Sequence, residues 1–350
     1  MQPLTRRAFG AGAIAAGLLP TLASAQIEKV PWGIAVATEP FRDDPAYRAA
    51  IAARAGLVVP MNALKWATLR YERDVFNFGP ADSIVAFAEG LKVPVHGHNL
   101  LWYDYNPAWL DAITSRAELL KVLETHIERV VGRYRGRIRS WDVVNEVLAH
   151  DPARQGRWRD GVWQRVLGPA QVEIAFAMAR AADPSARLYI NDYDLEDDTS
   201  RTERRQAAML AIVRRLQQRN IQVDAVGLQA HLYAERRIGT ANLRAFVRTL
   251  KAMGVGVAVT ELDVIDWKLP LDTVVRDRAV ADTADAFLDA VFTETVPEFV
   301  ATWGLSDRYS WIAETFPRDE GLARPLPLDA ELRPKPLLDT LARYVSMAPR

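Results

Sequence analysis

Two glutamates stand at the ends of apolar, strand-like runs. Glu146 closes the run Ile138–Glu146, and Glu261 lies near the end of Gly256–Asp263. A buried carboxylate is costly unless it is paired or hydrogen-bonded, so two of them at strand ends suggest acid–base or nucleophilic chemistry. A retaining glycosidase needs two carboxyl groups about 5 Å apart, one to attack the sugar carbon and one to protonate the leaving oxygen. The alternative is a structural ion pair with Lys65 or an arginine.

The spacing of residues around Glu261 predicts a supporting network. Residues two apart on a strand point to the same face, which pairs Gln229 with His231 and Glu261 with Asp263. His231 could therefore hydrogen-bond Glu261 and be oriented by Asp263. Such a network holds a nucleophile in one rotamer and keeps it ionised. The alternative is that His231 is a core histidine whose hydrogen bonds are satisfied and that it has no role in the site.

Further polar and aromatic side chains collect at or just beyond the same strand ends. Flat rings stack on the apolar faces of pyranose rings, while amides and a lysine bind sugar hydroxyls. Three other tryptophans, Trp32, Trp158 and Trp163, are expected to contribute packing instead. The candidates are Asn62, Lys65, His98, Trp102, Asn145, Tyr193, Gln229, Trp303 and Trp311.

Eight short, mostly apolar runs would position these residues, as expected for strands buried on both faces. Their alternation with helical patterns predicts an α/β fold, a single-domain parallel (β/α)8 TIM barrel with its chemistry at the carboxyl ends of the strands. An open doubly wound sheet is the competitor, but no Gly-x-Gly-x-x-Gly follows the first strand. The runs are Trp32–Thr38, Leu57–Asn62, Pro94–Trp102, Ile138–Glu146, Arg187–Tyr193, Ala225–Leu232, Gly256–Asp263 and Val300–Leu305.

Two helical patterns between the strands are clear. Ser115–Tyr134 carries apolar residues at spacings of three and four, which predicts one buried stripe. His126 is expected on the polar side of this helix. Thr199–Arg219 behaves similarly, and its arginines are expected to form a solvated face rather than a nucleic-acid patch.

Composition narrows the functional classes. The 350 residues include 44 basic and 44 acidic side chains and no cysteine. The charge balance argues against a nucleic-acid partner, and the lack of cysteine excludes disulfides, thiolate metal sites and a cysteine nucleophile. His96-Gly-His98 could be the metal pair of a barrel metallohydrolase, but that pair would be expected on the first strand rather than the third. We expect neither a metal nor a cofactor.

The first 25 residues have the pattern of an export signal. Arg6 and Arg7 precede an uncharged stretch that runs to about Leu19, and Ala23-Ser24-Ala25 provides a cleavage site. The paired arginines resemble a twin-arginine signal. We expect residues 26–350 to form an exported monomer, periplasmic or secreted, with no membrane contact after cleavage. An uncleaved disordered or anchoring N-terminus is the alternative.

Seven motifs in order resemble glycoside hydrolase family ten, the family of endo-β-1,4-xylanases. The resemblance extends from about Ile34 to Tyr344, and Pro334-Lys335-Pro336 is similar to the family's closing motif. The seven are Asn62-Ala-Leu-Lys65-Trp66, His96-Gly-His98 through Trp102, Trp141-Asp-Val-Val-Asn145-Glu146, Tyr189-Ile-Asn-Asp-Tyr193, Gln229-Ala-His231, Thr260-Glu261-Leu-Asp263, and Trp303-Gly-Leu-Ser-Asp307-Arg-Tyr-Ser-Trp311.

The resemblance implies roles for these residues. Glu146 is similar to the family's general acid/base and Glu261 to its nucleophile, while Asn145 would bind the sugar 2-hydroxyl. His231 and Asp263 resemble the nucleophile's supporting pair. Tyr193 would lie nearer the leaving group. The residues that match contacts to the glycone, the sugar on the non-leaving side of the bond, are Asn62, Lys65, His98, Trp102, Gln229, Trp303 and Trp311.

Two positions depart from the family pattern. Pro60-Met61 stands where a glutamate usually precedes Asn62, and Tyr103 stands where a histidine commonly follows Trp102. The resemblance implies retaining hydrolysis of xylan or xylo-oligosaccharides. The departures leave two alternatives, the same mechanism with altered glycone specificity or a barrel that binds an oligosaccharide without cleaving it.

Overall fold

A computed structural model describes residues 29–155 and 157–346 of the chain. All barrel strands run parallel, and a parallel bridge between Val58 and Val95 joins the two ends of the sheet. This near-closed ring confirms the predicted (β/α)8 barrel. The predicted signal segment, residues 1–25, lies outside the described residues.

The strands are short, as the predicted runs were. Their bounds are β1 Val30–Val36, β2 Leu57–Pro60, β3 His96–Gly97, β4 Leu101–Trp102, β5 Ser140–Asn145, β6 Arg187–Asp192, β7 Ala225–Leu228, β8 His231–Tyr233, β9 Gly256–Ile265, β10 Val300–Thr302 and β11 Val345–Ser346. The barrel strands follow the neighbour order β2-β1-β10-β9-β7-β6-β5-β3. Strand β11 pairs with β1 beside the barrel.

Helices surround the ring, and several short ones lie in the loops. Their bounds are α1 Thr38–Asp43, α2 Pro45–Ala52, α3 Trp66–Leu69, α4 Gly79–Leu91, α5 Ala108–Asp111, α6 Arg116–Arg133, α7 Pro152–Gln155, α8 Val162–Leu167, α9 Gln171–Ala182, α10 Ser200–Gln218, α11 Thr240–Ala252, α12 Thr273–Glu294, α13 Ile312–Thr315 and α14 Pro336–Tyr344, with 3-10 turns at Gly168–Ala170 and Asp307–Tyr309. None of these helices has the length and apolar character needed to span a membrane.

Two predicted strands are each interrupted. The third run divides into β3 and β4, which both pair with β5. The sixth divides into β7 and β8, because Ala230 adopts a left-handed backbone conformation with a φ of 60°. This conformation is unfavourable for a residue with a Cβ, and it places Gln229 and His231 on either side of a kink.

Small residues inside the barrel make room for polar side chains above them. A Cβ on Gly227 would lie 2.3 Å from Oδ1 of Asn191, so glycine at this position allows that amide to sit inside the ring. Below the polar level the interior is apolar and includes Ala35, Tyr189 and Phe299. The interior therefore changes from apolar to polar toward the carboxyl ends of the strands.

One expectation about a helix face was wrong, and a second holds for the arginines of α10 except Arg205. His126 is fully buried and stacks on Trp66 with ring centroids 3.6 Å apart, because the buried face of α6 is wide enough to include it. Arg205 on α10 is also buried and forms an ion pair with Asp192 at the end of β6. A buried charge of this kind is tolerated because a carboxylate partner offsets its desolvation.

Candidate active site

A cleft of about 740 Å³ opens at the carboxyl ends of the strands. Both glutamates line the cleft. Asp263 is the one predicted site residue that does not line it, and this residue lies beneath the cleft. Met61 and Tyr103 also line the cleft. The predicted residues that line it are Asn62, Lys65, His98, Trp102, Asn145, Glu146, Tyr193, Gln229, His231, Glu261, Trp303 and Trp311.

Glu146 directly follows β5 and leaves the strand direction with a φ of 54°. Its N–H donates to the carbonyl of Asn191 at 2.8 Å, which holds this unusual backbone conformation. Its Oε1 accepts a hydrogen bond from Nε2 of Gln229 at 3.2 Å. Burial, helped by the negative charges of Asp192 and Glu261, raises the pKa of Glu146 to about 7. Glu146 is therefore suited to carry a proton near neutral pH.

Glu261 lies within β9 and has a different environment. Its Oε1 accepts a hydrogen bond from Nδ2 of Asn191 at 2.6 Å, and its Oε2 lies 3.3 Å from Nε2 of His231. Burial alone would raise the pKa of Glu261, but the neighbouring His98 and His231 hold that pKa below its ordinary value. The ionised form is therefore favoured, as a nucleophile requires.

Three amides connect the surroundings of the two glutamates. Nδ2 of Asn191 donates to Glu261 and also to Oδ1 of Asn145, at 2.9 Å. Nε2 of Gln229 donates to the same Asn145 oxygen at 3.1 Å and to Glu146. The two carboxylates thus share one hydrogen-bonded network, which fixes their orientations relative to each other.

His231 is held between two carboxylates. Its Nδ1 lies 2.9 Å from Oδ1 of Asp263, and its Nε2 faces Glu261. Burial alone would lower the pKa of His231, but Asp263 and Glu261 outweigh burial and raise that pKa well above its ordinary value. Both contacts are the ones predicted from the sequence, although the kink at Ala230 breaks the regular alternation between Gln229 and His231 on which the prediction was based.

The histidines of the third predicted strand surround a buried aspartate. Oδ2 of Asp142 lies 2.9 Å from Nδ1 of His98 and 3.0 Å from Nε2 of His96, whose Nδ1 faces Ser140. Burial opposes ionisation, but His96 and His98 lower the pKa of Asp142 to about 2. Among the described residues, no group of three or more metal-ligating side chains is placed to hold an ion.

One wall of the cleft combines a lysine with indole rings. The Lys65 ammonium lies 4.6 Å from the ring centroid of Trp102 and 5.7 Å from that of Trp303. Burial lowers the pKa of Lys65. Trp163 supports this wall by donating from Nε1 to the carbonyl of Trp102 at 2.8 Å. Met61 is buried in the same region.

Tyr193 and Tyr103 also line the cleft, with Arg159 between them. The Arg159 guanidinium lies 4.4 Å from the ring centroid of Tyr103 and donates a hydrogen bond to the hydroxyl of Tyr193. Cation–π contacts of this kind hold aromatic rings in a fixed orientation. His150, at 3.1 Å from the same hydroxyl, extends this part of the cleft toward the surface.

Sequence reasoning missed four residues that shape the site: Asp142, Asn191, Arg159 and Glu196. The carboxyl oxygens of buried Glu196 accept hydrogen bonds from the backbone N–H groups of Leu195, at 2.7 Å, and Ala230, at 3.2 Å. Asp142 and Asn191 stand inside the recognised motifs, so the alternation of faces could have assigned them. Arg159 and Glu196 lie in loops, and no local pattern identifies them.

A (β/α)8 barrel with two buried glutamates at the carboxyl ends of its strands has the architecture of a glycoside hydrolase. Comparison with known sequences agrees, because the profile of glycosyl hydrolase family 10 matches residues 21–344. The chain belongs to this family.

Relatives with known names are similar over most of their length. Endo-1,4-beta-xylanase A of Fusarium oxysporum is 37% identical over 273 residues, which are 75% of this chain and 80% of that protein. Endo-1,4-beta-xylanase B of Thermotoga neapolitana is 31% identical over 283 residues, which are 80% of this chain and 78% of that protein.

Solved structures show the same fold. Xylanase 10B from Thermotoga petrophila, in complex with xylobiose, superposes with a TM-score of 0.82 at 29% identity, covering 90% of this chain and 93% of that one. A glycosylated endo-beta-1,4-xylanase from Gloeophyllum trabeum gives a TM-score of 0.81 at 29% identity, covering 92% and 98%.

Proposed function

We propose that this chain hydrolyses internal β-1,4-xylosidic bonds of xylan or xylo-oligosaccharides with retention of configuration, Glu261 being the nucleophile and Glu146 the acid/base. The observation that carries these roles is the opposite displacement of the two carboxyl pKa values within one hydrogen-bonded network. Two carboxyl groups whose environments separate their pKa values are suited to different roles. Named relatives that are endo-1,4-beta-xylanases support the substrate class.

The first step forms a glycosyl ester. A carboxylate oxygen of Glu261 attacks the anomeric carbon as the bond from that carbon to the leaving oxygen breaks, and Glu146 transfers its proton to that oxygen. Asn145, fixed by the amides of Asn191 and Gln229, would bind the sugar 2-hydroxyl. That hydrogen bond strengthens as positive charge develops on the sugar ring.

The second step releases the sugar. Glu146, now ionised, takes a proton from a water molecule whose oxygen attacks the anomeric carbon, and the bond to Glu261 breaks. Ester formation removes the negative charge of Glu261, which lowers the pKa of Glu146 and suits it to the role of base. Both glutamates return to their starting protonation states.

Met61 is the observation that favours an altered glycone preference within this mechanism. It lines the cleft close to Asn62 and Lys65 and offers no acceptor for sugar hydroxyls. Loss of such a hydrogen bond would weaken sugar binding there by about 1–3 kcal/mol. Tyr103, whose ring contacts the Arg159 guanidinium and the Trp102 ring, is the other departure and could change the same preference.

Release of reducing sugar from xylan, arabinoxylan and mixed-linkage glucans tests the proposal. We expect the natural sequence to have its highest kcat/KM on a xylan. We expect Glu261→Ala to release no reducing sugar from any of these substrates. A higher kcat/KM on a glucan than on any xylan would show that the substrate class is a glucan and not a xylan. Binding of oligosaccharide without release of reducing ends would show a barrel that only binds.

We also propose that residues 1–25 direct export and that residues 26–350 act as a periplasmic or secreted monomer. The paired arginines and the Ala-x-Ala site support this location. The N-terminal sequence of the exported protein and its mass by light scattering test both statements. A retained Met1 or a dimeric mass would contradict the corresponding one.

A further inference from the structure

The Lys65 ammonium is a buried cation that faces the cleft without a counter-ion. Only 8% of the residue is exposed, and within residues 29–155 and 157–346 its ammonium forms neither an ion pair nor a hydrogen bond. The ammonium lies 4.6 Å from the ring centroid of Trp102, 5.6 Å from that of Tyr105 and 5.7 Å from that of Trp303. Aromatic faces attract a cation but are weak hydrogen-bond acceptors. Lys65 therefore keeps three donors and a charge for a ligand in the cleft.

The carboxylates around the cleft act on Lys65 only from a distance. Glu261, Glu146 and Asp104 favour the charged ammonium, but none of their oxygens lies within 4.0 Å of it. Burial has the larger effect and lowers the pKa of Lys65. A cation that has lost most of its water gains most from an anion placed directly beside it, where charge-assisted hydrogen bonds form.

Met61 is an apolar neighbour of Lys65 that cannot neutralise its charge. The N–H of Lys65 donates to the carbonyl of Asn62 at 3.1 Å, so Met61 leads directly into the turn that carries the lysine. The Met61 side chain is buried and belongs to one apolar cluster with Trp303, the ring that also lies beside the ammonium. A glutamate at position 61 would offset the charge of Lys65 and repel a carboxylate of the substrate, whereas a thioether does neither.

We propose that the glycone site formed by Met61, Asn62 and Lys65 prefers a sugar that carries a carboxylate, a hexuronic acid, and that this carboxylate pairs with the Lys65 ammonium. The inference rests on the proposed function and deepens it, because it names the chemical class of glycone that the cleft selects. The ammonium donates to the carboxylate oxygens, and the Asn62 amide serves the hydroxyls of the same sugar. A uronic acid branch on the outer xylose and a uronic acid as the outer sugar itself both supply this carboxylate.

Aryl glycosides test the inference, because the aryl group occupies the leaving-group side and only the glycone varies. The first pair is an aryl β-xylobioside with a glucuronic acid branch on its outer xylose, and the same compound with its carboxyl group reduced to an alcohol. In the second pair the outer sugar itself is glucuronic acid or, after reduction, glucose. For the natural sequence we expect kcat/KM to be about tenfold higher on the acidic member of at least one pair, the effect of a hydrogen bond between charged groups. The pair that shows the preference identifies the source of the carboxylate.

Two variants of similar size separate charge from shape at position 61. Met61→Glu should lower the ratio of kcat/KM on the acidic compound to that on its neutral partner by about tenfold, because the new carboxylate pairs with Lys65 and repels the substrate. Met61→Gln is the matched control, since it adds polarity without charge and should keep the preference. Lys65→Met should abolish the preference, whatever its effect on the absolute rates.

Each part of the inference has an outcome that overturns it. A ratio of one or below in both pairs for the natural sequence, an equal fall in Met61→Gln and Met61→Glu, or a preference retained in Lys65→Met would do so. Activity on the unbranched aryl β-xylobioside but on none of the four test compounds would do so as well. A natural sequence inactive on that reference compound and on xylan would instead refute the proposed function, so the two failures are distinguishable.

Discussion

Asp263 accepts hydrogen bonds from Trp311 and His231 on its two carboxylate oxygens. Nε1 of Trp311 donates to Oδ2 at 2.8 Å, and Nδ1 of His231 lies 2.9 Å from Oδ1. One buried carboxylate thus holds a wall of the cleft and the histidine beside Glu261. The position of the sugar and the ionisation of the proposed nucleophile therefore depend on the same side chain.

Asp263→Asn should lower kcat by about 10- to 100-fold, the cost of one hydrogen bond to a charged group. The amide keeps the shape of the side chain but removes the charge that raises the pKa of His231. A neutral His231 stabilises ionised Glu261 less, so the acid limb of kcat/KM should move to higher pH. Trp311→Phe, which removes the other hydrogen bond and leaves the charge of Asp263 in place, is the comparison and should leave that limb in place. Identical pH profiles for Asp263→Asn and the natural sequence would contradict this role.

The pH dependence of kcat/KM should be bell-shaped. Glu146 acts protonated, so activity should be lost as pH rises through about 7, its raised pKa. Glu261 acts ionised, and its lowered pKa means that activity should be lost only as pH falls below the usual range of a glutamate. In Glu146→Ala, measured with an activated aryl xyloside that needs no proton, the alkaline limb should disappear. Its persistence would assign that limb to another group.

Asn191→Ala should reduce kcat by about 10- to 100-fold because it removes donors to both Glu261 and Asn145. Asn191→Asp should shift the acid limb of kcat/KM upward, since a second negative charge beside Glu261 raises the pKa of Glu261. The control is Asn242→Ala, which removes an exposed amide bonded to Glu203. Equal activity of the Asn191 and Asn242 variants would show that the shared network is dispensable.

Glu196 should affect catalysis through the backbone N–H groups of Leu195 and Ala230, from which its carboxyl oxygens accept hydrogen bonds. Glutamine has one acceptor oxygen, so Glu196→Gln leaves Leu195 or Ala230 without its partner. We expect a loss in kcat of about 10-fold with a smaller change in KM, because Gln229 and His231 flank Ala230. Glu203→Gln, a surface change, is the control. Equal changes in kcat for the two variants would show that Glu196 contributes to the structure only and has no specific effect on catalysis.

Glu196 also predicts a pH dependence of stability. Burial, with the charges of Asp194 and Asp197, raises the pKa of Glu196 from 4.5 to about 8. Between these values the folded state binds the proton more tightly than the unfolded state, so the contribution of Glu196 to stability falls as pH rises. The difference in Tm between the natural sequence and Glu196→Gln should therefore decrease from pH 5 to pH 8. A constant difference would contradict the raised pKa.

Features repeated along the chain could be predicted from sequence. The predicted helix Ser115–Tyr134 is observed as Arg116–Arg133, with the Ser115 hydroxyl accepting from the N–H of Glu118 at 3.3 Å. Residues at strand ends could also be placed from the sequence. In a closed parallel barrel the carboxyl ends of all strands meet at one rim, however far apart they are in sequence. For this reason the positions of Glu146 and Glu261 at strand ends are enough to assign both residues to one cleft.

Features that depend on contacts between loops could not be predicted. The kink at Ala230 depends on a carboxylate from another loop, and the local sequence does not reveal it. Arg205 has the spacing of the buried face of α10, four residues before Met209, but its charge favours a solvated position until Asp192 is placed beside it. His126 lies within the wide buried face of α6, but its polar ring favours solvent until Trp66, from another helix, is placed against it. In each case the partner belongs to another element or loop and is identified only by the tertiary fold.

In the proposed mechanism Glu261 attacks the sugar and Glu146 moves the proton. The most direct test is to hydrolyse an aryl xyloside with a good leaving group in the presence of azide, using Glu146→Ala and Glu261→Ala. If the roles are assigned correctly, azide accelerates Glu146→Ala and the product is the β-azide, because azide opens an ester formed by Glu261 on the opposite face. An α-azide from Glu146→Ala, or a β-azide from Glu261→Ala, would exchange the two roles and contradict the account.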